Sequence, residues 1–407
     1  MENHLTNSAA SPEISESREV SPHERREMNR PAMDSLSCPY CASPAFVRRG
    51  FRVKLREKVQ LYQCASCGRT FTAHSTRGKQ YPLSVMFDAI SIYNLGYSFE
   101  KTVSITGQRH QVSLSPSTLA EWIAETADLC RYSRMREFAM KKYSPREMVI
   151  TATLAHQQLY RYRFHRGKCD LMIREEYEHR KFTPLKEFLE MVPAECPHQY
   201  FQEGLRASET PLTFSKKQMI VRAKQNYATR LAAFVLQSVK DRKLRHEALQ
   251  KFFLANDSVT VATEVPVYLT RDDLEHMKTQ LGFDIFSRAE NCSEVVLPKL
   301  ITGHIDLLQI RNGQIHILDY KPRAEKEKPI EQLTLYAMAL SRLTGLRLYE
   351  FKCAWFDEKD YFEFYPLHVL YKPKKTRRRR KVTTMEGVYT INQETEALRY
   401  ILPIIVV

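Results

Sequence analysis

The chain has 407 residues, of which 43% are hydrophobic, so it can form two or three domains with buried cores. Its formal charge of +15 and isoelectric point of about 9.3 predict a polyanionic partner such as DNA. No apolar run reaches the roughly 18 residues of a membrane span, and the N-terminus has no apolar core, so we expect neither a membrane protein nor a secretory signal. The expected location is the cytoplasm, at the nucleoid in a prokaryote, or the nucleus in a eukaryote.

The N-terminal part predicts a metal-dependent module behind a disordered tail. Residues 1–34 are rich in Ser, Glu, Arg and Pro and predict disorder. Residues 35–80 contain two Cys-x-x-Cys pairs, formed by Cys38, Cys41, Cys64 and Cys67. Two such pairs close the tetrahedral shell of one Zn²⁺, and Gly68 supplies the permissive backbone that a knuckle turn needs. We predict a structural zinc ribbon, with Arg48 and Arg49 placed to contact phosphate.

In residues 81–143, apolar residues recur at the spacing of an α-helix. A helix is expected over Pro82–Leu95 and a short one over Ser98–Ile105. A third begins at Ser115-Pro116, a typical cap, and carries an apolar stripe. Helix, short helix, turn and capped helix is the outline of a helix-turn-helix, although a plain helical packing unit would have the same pattern.

The cysteine pairs and these helices together, over residues 36–126, resemble the N-terminal DNA-binding region of bacterial and archaeal insertion-sequence transposases. The resemblance implies recognition of a DNA site. Ser117, Thr118 and Glu121 would lie on the exposed side of the helix that contacts the bases.

Residues 144–240 predict a connector that is mainly helical. We expect a strand over Met148–Leu159 and helices over Pro184–Met191 and Ser215–Lys240. Leu159–Arg166 interleaves aromatic and basic residues, which indicates a half-buried strand with a basic outer face; a DNA groove is the alternative.

From residue 241 to 370 the pattern becomes mixed α/β. Strands are expected over Val259–Leu269, on both sides of Arg311–Gln314, and over 348–357 and 361–366, with a helix over 328–343. The remainder, 371–407, is a basic segment and tail. Its charge run can contact phosphates without base specificity through Arg377, Arg378, Arg379 and Arg380.

A hairpin in this region carries the clearest chemical signal. Asn312-Gly313 between two β-rich runs predicts a type I′ turn. That turn pairs Arg311 with Gln314, so that Asp306 pairs with Asp319 and His304 faces Lys321, all on one face of the hairpin. Opposed carboxylates repel each other at a Cβ separation of about 5 Å, and a divalent cation such as Mg²⁺ between them would remove the repulsion. Two surface aspartates on an ordinary hairpin are the alternative.

This segment, over residues 240–368, resembles the PD-(D/E)xK nuclease superfamily and, within it, the RecB-like and Cas4-like branch. Asp306 matches the first acidic motif and Asp319-Tyr-Lys321 the second. Gln332-Leu-Thr-Leu-Tyr336 matches the helical Gln-x-x-x-Tyr motif, whose two polar residues share one helix face. The resemblance implies a restriction-endonuclease-like core with a mixed central sheet.

Two further residues are candidates by position. The resemblance implies a metal-binding His on an early helix, which His246 fits, although a lone helical His is more often no ligand. Glu264 on the first strand can orient the metal site or can simply face solvent. Members of this branch can carry four cysteines that bind an iron–sulfur cluster. Here Cys196 lies upstream but no cysteine triplet follows the Gln-x-x-x-Tyr helix, so no cluster is expected.

The sequence therefore predicts a DNA-binding nuclease that hydrolyses phosphodiester bonds with Mg²⁺ or Mn²⁺, with endonucleolytic cleavage favoured over exonucleolytic. The context would be a mobile element, DNA repair or defence, with self-association or other subunits as possible partners. A non-catalytic DNA-binding regulator or assembly component that retains a nuclease fold is the alternative. A transposase proper would need a carboxylate triad, which residues 140–240 do not show.

Overall fold

The computed structural model describes residues 37–53, 58–72, 80–175, 177–216, 219–224, 226–239, 241–287 and 297–371, and the backbone of 382–384 and 387–389. The predicted disordered tail and the arginine run 377–380 lie outside these residues. In the part of the chain so described, no helix combines the length and apolar character needed to cross a membrane. The chain divides into two compact units, Met1–Pro82 and Leu83–Val407.

The first unit is a small antiparallel sheet. Its strands are β1 (Phe46–Val53), β2 (Lys58–Cys64) and β3 (Thr70–Phe71), in the order β1-β2-β3. Its core consists of three aromatic rings, from Phe46, Tyr62 and Phe71, with centroids 5.3 to 5.7 Å apart. So small an apolar core supplies little stability by itself.

The second unit contains all the remaining elements. Its helices are α1 (Leu83–Asn94), α2 (Phe99–His110), α3 (Pro116–Glu125), α4 (Arg136–Met140), α5 (Arg166–Glu175), α6 (Thr183–Glu195), α7 (His198–Glu203), α8 (Tyr227–Leu236), α9 (Arg245–Asn256), α10 (Arg271–Thr279), α11 (Ile330–Thr344) and α12 (Pro366–Leu370). Its strands are β4 (Val149–His156), β5 (Gln158–His165), β6 (Leu205–Arg206), β7 (Leu212–Phe214), β8 (Arg222–Ala223), β9 (Thr260–Thr270), β10 (Ile285–Ser287), β11 (Leu300–Arg311), β12 (Gln314–Tyr320), β13 (Phe351–Phe356), β14 (Tyr361–Phe364), β15 (Val382–Thr384) and β16 (Gly387–Tyr389). Short 3₁₀ turns occupy Arg131–Arg134, Tyr177–Phe182, Arg242–Leu244 and Leu348–Glu350.

A nine-stranded sheet organises this unit. Eight strands follow the order β4-β5-β9-β11-β12-β13-β14-β8, and β6 pairs with β11 as the ninth. β12 and β13 run parallel, as do β6 and β11, whereas the other pairs are antiparallel. The sheet is therefore mixed, as predicted. β12 and β13 are buried almost throughout, and β13 has the nearly continuous apolar sequence typical of a buried parallel strand.

The predicted hairpin register is confirmed. The ladder runs from Arg311↔Gln314 to Leu307↔Leu318. Asn312 and Gly313 have φ values of 52° and 66°, the positive values that a type I′ turn requires at both positions.

The segmentation of residues 81–240 differs from the prediction. Residues 144–240 contain more helix than strand, as predicted, but they are not a connector, because they supply β4, β5, β6 and β8 to the sheet that contains the hairpin. The helix expected over 215–240 is confined to α8, because the preceding residues include β8. The predicted boundaries near residues 143 and 240 both fall inside the second compact unit, which runs from Leu83 onwards.

The helices expected before residue 126 are present, and they pack on the α/β core. Ser98 and Ser115 cap α2 and α3 through their side chains, and Pro116 occupies the first turn of α3. The side-chain amide of Asn94 donates to Asn256 Oδ1 at 2.8 Å, and Asn256 donates to Ser91 Oγ at 2.8 Å. These two bonds, the first buried and the second partly buried, join α1 to α9.

Candidate active site

The two hairpin aspartates lie on neighbouring strands, each one residue beyond the last pair of the ladder, Leu307↔Leu318. Asp306 is on β11 and Asp319 on β12. Burial raises the pKa of both carboxyls above the ordinary range. A neighbouring carboxylate raises each pKa further: Glu264 acts on Asp306, and Asp306 acts on Asp319. The predicted repulsion therefore acts on Asp319, whereas a hydrogen bond with Asp319 lowers the pKa of Asp306.

Lys321 is the cation closest to Asp319. Its Nζ lies 2.8 Å from Asp319 Oδ2, and the side chains are 23% and 6% exposed. Burial disfavours the charged amine, but the charges of Asp319 and Asp306 outweigh it and raise the pKa of Lys321. The ammonium group stays protonated, and its remaining N–H donors are available to a water or a phosphate oxygen.

Glu264 adds a third carboxylate from β9. The β9–β11 ladder pairs Ile305 with Val265 and Leu307 with Thr263, which puts Glu264 opposite Asp306. Its φ of +52° is the left-handed conformation, which costs a non-glycine residue about 1 kcal/mol or more. Burial raises its pKa to about 7, although Gln250 donates to Oε1 at 2.5 Å. The backbone is thus strained where this carboxylate meets the pair.

His246 reaches the same place from α9. Its Nε2 donates to the Tyr320 carbonyl at 2.9 Å and lies 3.8 Å from Asp306 Oδ2. The imidazole is beside the carboxylates, and as a cation ligand it would exchange its bond to Tyr320 for one to the ion.

Gln332 and Tyr336 come from α11. Gln332 Nε2 donates to Tyr336 Oη at 2.8 Å, as their spacing of four allows. The Tyr336 ring lies over Gly303 on β11, so closely that a Cβ added at Gly303 would be 2.2 Å from Tyr336 Cε1. Gly303 was not predicted to take part, and its only sequence signal was a glycine within a strand.

All seven of these predicted residues line one cavity of about 300 Å³: His246, Glu264, Asp306, Asp319, Lys321, Gln332 and Tyr336. The structure also brings in residues that the sequence analysis missed. Arg206 arrives on β6, where it pairs with Thr302 of β11, and its Nη2 donates to Tyr160 Oη at 2.6 Å. The Tyr160 ring stacks on His304 at a centroid distance of 3.6 Å.

His304 corrects one prediction. It lines the cavity, but instead of facing Lys321 its Nε2 lies 2.8 Å from Nδ1 of His156 on β4. The hairpin does not extend to Lys321. The backbone N–H of Lys321 donates to the Phe356 carbonyl of β13, and the start of β11 pairs with β6 instead of with β12.

The predicted basic outer face of β5 is also wrong. Tyr162 and Phe164 are buried as expected, but Arg163 and His165 are buried as well. Arg163 lies 3.7 Å from Glu247 Oε1 and lowers the pKa of Glu264 against the effect of burial. Both faces of β5 are covered at this end, and among the three basic residues only Arg161 is exposed.

The donor set fits a divalent cation. Three carboxylates, from Asp306, Asp319 and Glu264, converge in the cavity. Lys321 contacts Asp319, whereas the guanidinium of Arg206 is bonded to Tyr160. A divalent cation between Asp306 and Asp319 would have the carboxylate oxygens that such an ion prefers.

The first unit holds a separate candidate metal centre. Its four cysteine sulfurs lie within 4.8 Å of one another, with 3.6 Å between Cys38 and Cys67 and 3.5 Å between Cys41 and Cys64. Sulfurs bound to one tetrahedral Zn²⁺ would be about 3.8 Å apart. Gly68 has a φ of +69°, the conformation expected at the knuckle.

The predicted DNA-contacting side chains are mostly exposed. Arg48 on β1 is exposed, and Arg49 donates to Gln63 Oε1 at 2.6 Å on the surface. On α3, Ser117 and Glu121 are exposed, whereas Thr118 is half-buried and its hydroxyl lies 2.9 Å from Ser115 Oγ.

The chain matches a known protein family. It is the PD-(D/E)XK nuclease superfamily, and the match covers residues 194–401, just over half of the sequence. The match begins well before residue 240, in agreement with a sheet that takes strands from the presumed connector. No curated protein and no solved structure matches the chain.

Proposed function

Since the chain belongs to the PD-(D/E)XK nuclease superfamily, we propose that the cavity around Asp306 and Asp319 hydrolyses phosphodiester bonds of DNA with Mg²⁺ or Mn²⁺. The observation that carries the proposal is the convergence of Asp306, Asp319, Glu264 and Lys321 in one cavity. Endonucleolytic cleavage is the form we favour, and the Gln-x-x-x-Tyr helix and His246 support a RecB-like arrangement.

Asp306 and Asp319 would hold the cation, with His246 as a nitrogen ligand from the side. A cation bound there would reduce the negative charge of the scissile phosphate and lower the pKa of the attacking water. Lys321, fixed against Asp319, orients that water and offsets the charge that develops on the phosphate oxygens. Glu264 completes the acidic set and positions the pair.

The cavity also offers contacts for the DNA backbone. Arg206 presents a guanidinium group, which binds phosphate through two parallel hydrogen bonds. Tyr160 holds it through a 2.6 Å bond. Gln332 and Tyr336 complete the wall through polar groups from α11. The surface residues of α3 would hold the DNA outside the cavity. A zinc-bound first unit would supply a DNA contact of its own.

The test is cleavage of supercoiled and linear duplex DNA by the full chain with Mg²⁺, with Mn²⁺ or with EDTA. The test variant is Asp319→Ala. The control is Asp272→Ala, because Asp272 is an exposed aspartate on α10. We expect metal-dependent nicking or linearisation of circles by the wild type and the control, and at least a ~100-fold loss in Asp319→Ala, since even outer-shell partners of a metal contribute 10- to 100-fold.

Metal-dependent cleavage retained by Asp319→Ala would show that the roles are misassigned. A wild type that binds DNA but cleaves neither substrate with either metal would instead support a DNA-binding component with an inactive nuclease fold.

A further inference from the structure

A second cluster of metal-ligand side chains lies outside the carboxylate site. His156 ends β4, Cys196 follows α6, and His198 begins α7. One donor atom from each lies within 4.8 Å of the other two. His156 Nε2 is 2.8 Å from His198 Nδ1 and 3.9 Å from Cys196 Sγ. The proposed catalysis uses none of these three residues.

The fold holds these residues together through a tight turn and a short helix. Gln157, with a φ of +59°, turns β4 into β5, and its side chain donates to the Gln202 carbonyl at 3.2 Å. Gln202 donates in return to the Ala155 carbonyl at 2.6 Å. The His156 ring also stacks on Phe201 at 4.0 Å and 12°. The turn and α7 are thereby fixed to each other at the cluster.

The distances suit a tetrahedral ion with nitrogen and sulfur ligands. Zn²⁺ binds His nitrogen at about 2.0–2.1 Å and Cys sulfur at about 2.3 Å, so its ligand atoms lie roughly 3.3 to 3.6 Å apart. The observed 2.8 and 3.9 Å differ from these values by about half an ångström or less. Side-chain rotation suffices to close that difference.

The outer contacts match those of a bound imidazole. A metal-bound His usually donates its other ring N–H to an acceptor, which fixes the ring. His156 Nδ1 lies 2.8 Å from His304 Nε2, and Tyr160 stacks on His304 from the cavity side. A chain of hydrogen-bonded imidazoles alone would not require the thiol of Cys196 beside His156 Nε2.

We propose that His156 Nε2, His198 Nδ1 and Cys196 Sγ bind one Zn²⁺, with the fourth position open to water because His198 is exposed. Binding converts the Cys196 thiol to a thiolate and releases its proton to solvent. His304 is a positioning residue for this ion, and it also lines the carboxylate cavity. The zinc would therefore stiffen one wall of that cavity from outside.

The first test counts metal in the full chain after incubation with Zn²⁺ and dialysis. Wild type is compared with Cys196→Ala and with His198→Ala, which removes an exposed side chain and leaves the buried core unchanged. His276→Ala is the control, because it removes another exposed imidazole, on α10. We expect each cluster variant to hold one zinc fewer per chain than wild type and the control to hold the wild-type number. Equal zinc content in all four proteins would overturn the proposal.

The second test uses wild type alone, so it does not depend on the folding of any variant. Metal-stripped protein is treated with an alkylating reagent with and without Zn²⁺, and modification is mapped by mass spectrometry. Cys196 is half-buried and reachable. We expect Zn²⁺, but not Mg²⁺, to reduce its alkylation at least about tenfold, because a zinc-bound thiolate is a poorer nucleophile. Alkylation of Cys196 at the same rate with Zn²⁺ as without would count against the site.

Discussion

At the scale of single residues, two positions in the walls of the cavity have little tolerance for substitution. Gly303 is the sharpest case, because Tyr336 occupies the volume that any side chain there would need. Glu264 is the second, because its left-handed backbone places a carboxylate opposite Asp306. Besides affecting the stability of the sheet, both features determine the shape of the cavity.

Gly303→Ala should destabilise the protein by about 1–3 kcal/mol, the usual cost of overpacking. The new methyl group would meet the Tyr336 ring at 2.2 Å, and the ring must move. Urea unfolding measures the cost. In a Tyr336→Leu background the same substitution should cost much less, because the clashing ring is gone. Equal costs in both backgrounds would show that the contact is not what excludes a side chain.

Glu264 should make stability depend on pH when no divalent cation is added. Its folded-state pKa is raised from 4.5 to about 7, so the protonated form stabilises the fold fully below about pH 4.5. That contribution is lost as the pH rises through about 7. We expect Glu264→Gln to match wild type near pH 4.5 and to be more stable at pH 8, by up to about 3 kcal/mol.

Glu247→Gln is the matched control, because the pKa of Glu247 is lowered by Lys251 and by nearby arginines. Its substitution should have the opposite sign, with a loss of stability that appears above the ordinary carboxyl pKa. Thermal unfolding at the two pH values distinguishes the two variants. A Glu264→Gln protein no more stable than wild type at pH 8 would contradict the prediction.

At the scale of elements, α3 is the helix whose predicted role stays a prediction. Its apolar stripe is buried through Leu119 and Trp122, while Ser117 and Glu121 point outward. This arrangement is expected both for a helix that only packs and for a helix that also contacts DNA. A binding measurement distinguishes the two roles.

Ser117→Glu should weaken binding to duplex DNA by about tenfold and leave stability unchanged. A negative charge at this position repels phosphate, yet it lies in the first turn of α3, where an acidic side chain is favourable. Gln280→Glu makes the same charge change at an exposed residue after α10 and should bind like wild type. Fluorescence anisotropy at fixed salt measures both. Unchanged affinity in Ser117→Glu would favour the packing role.

At the scale of the whole molecule, the sequence predicted those features that depend on residues close together in the chain. Asn312-Gly313 alone set the register that brings Asp306 beside Asp319. Arg206 could not be found in this way, because its two-residue strand reaches β11 only through a pairing almost 100 residues away. The strands within 144–240 were underestimated for the same reason. The left-handed φ of Glu264 has no signal in its residue type.

The hydrogen bonds between Asn94, Asn256 and Ser91 have a consequence for how DNA would be cut. They join α1, which packs with α3, to α9, the helix that carries His246. These helices and the carboxylate cavity therefore belong to one compact unit. If α3 binds the duplex, the backbone would enter the cavity at a constant distance from the bound sequence. Cleavage would then occur a fixed number of base pairs from that sequence.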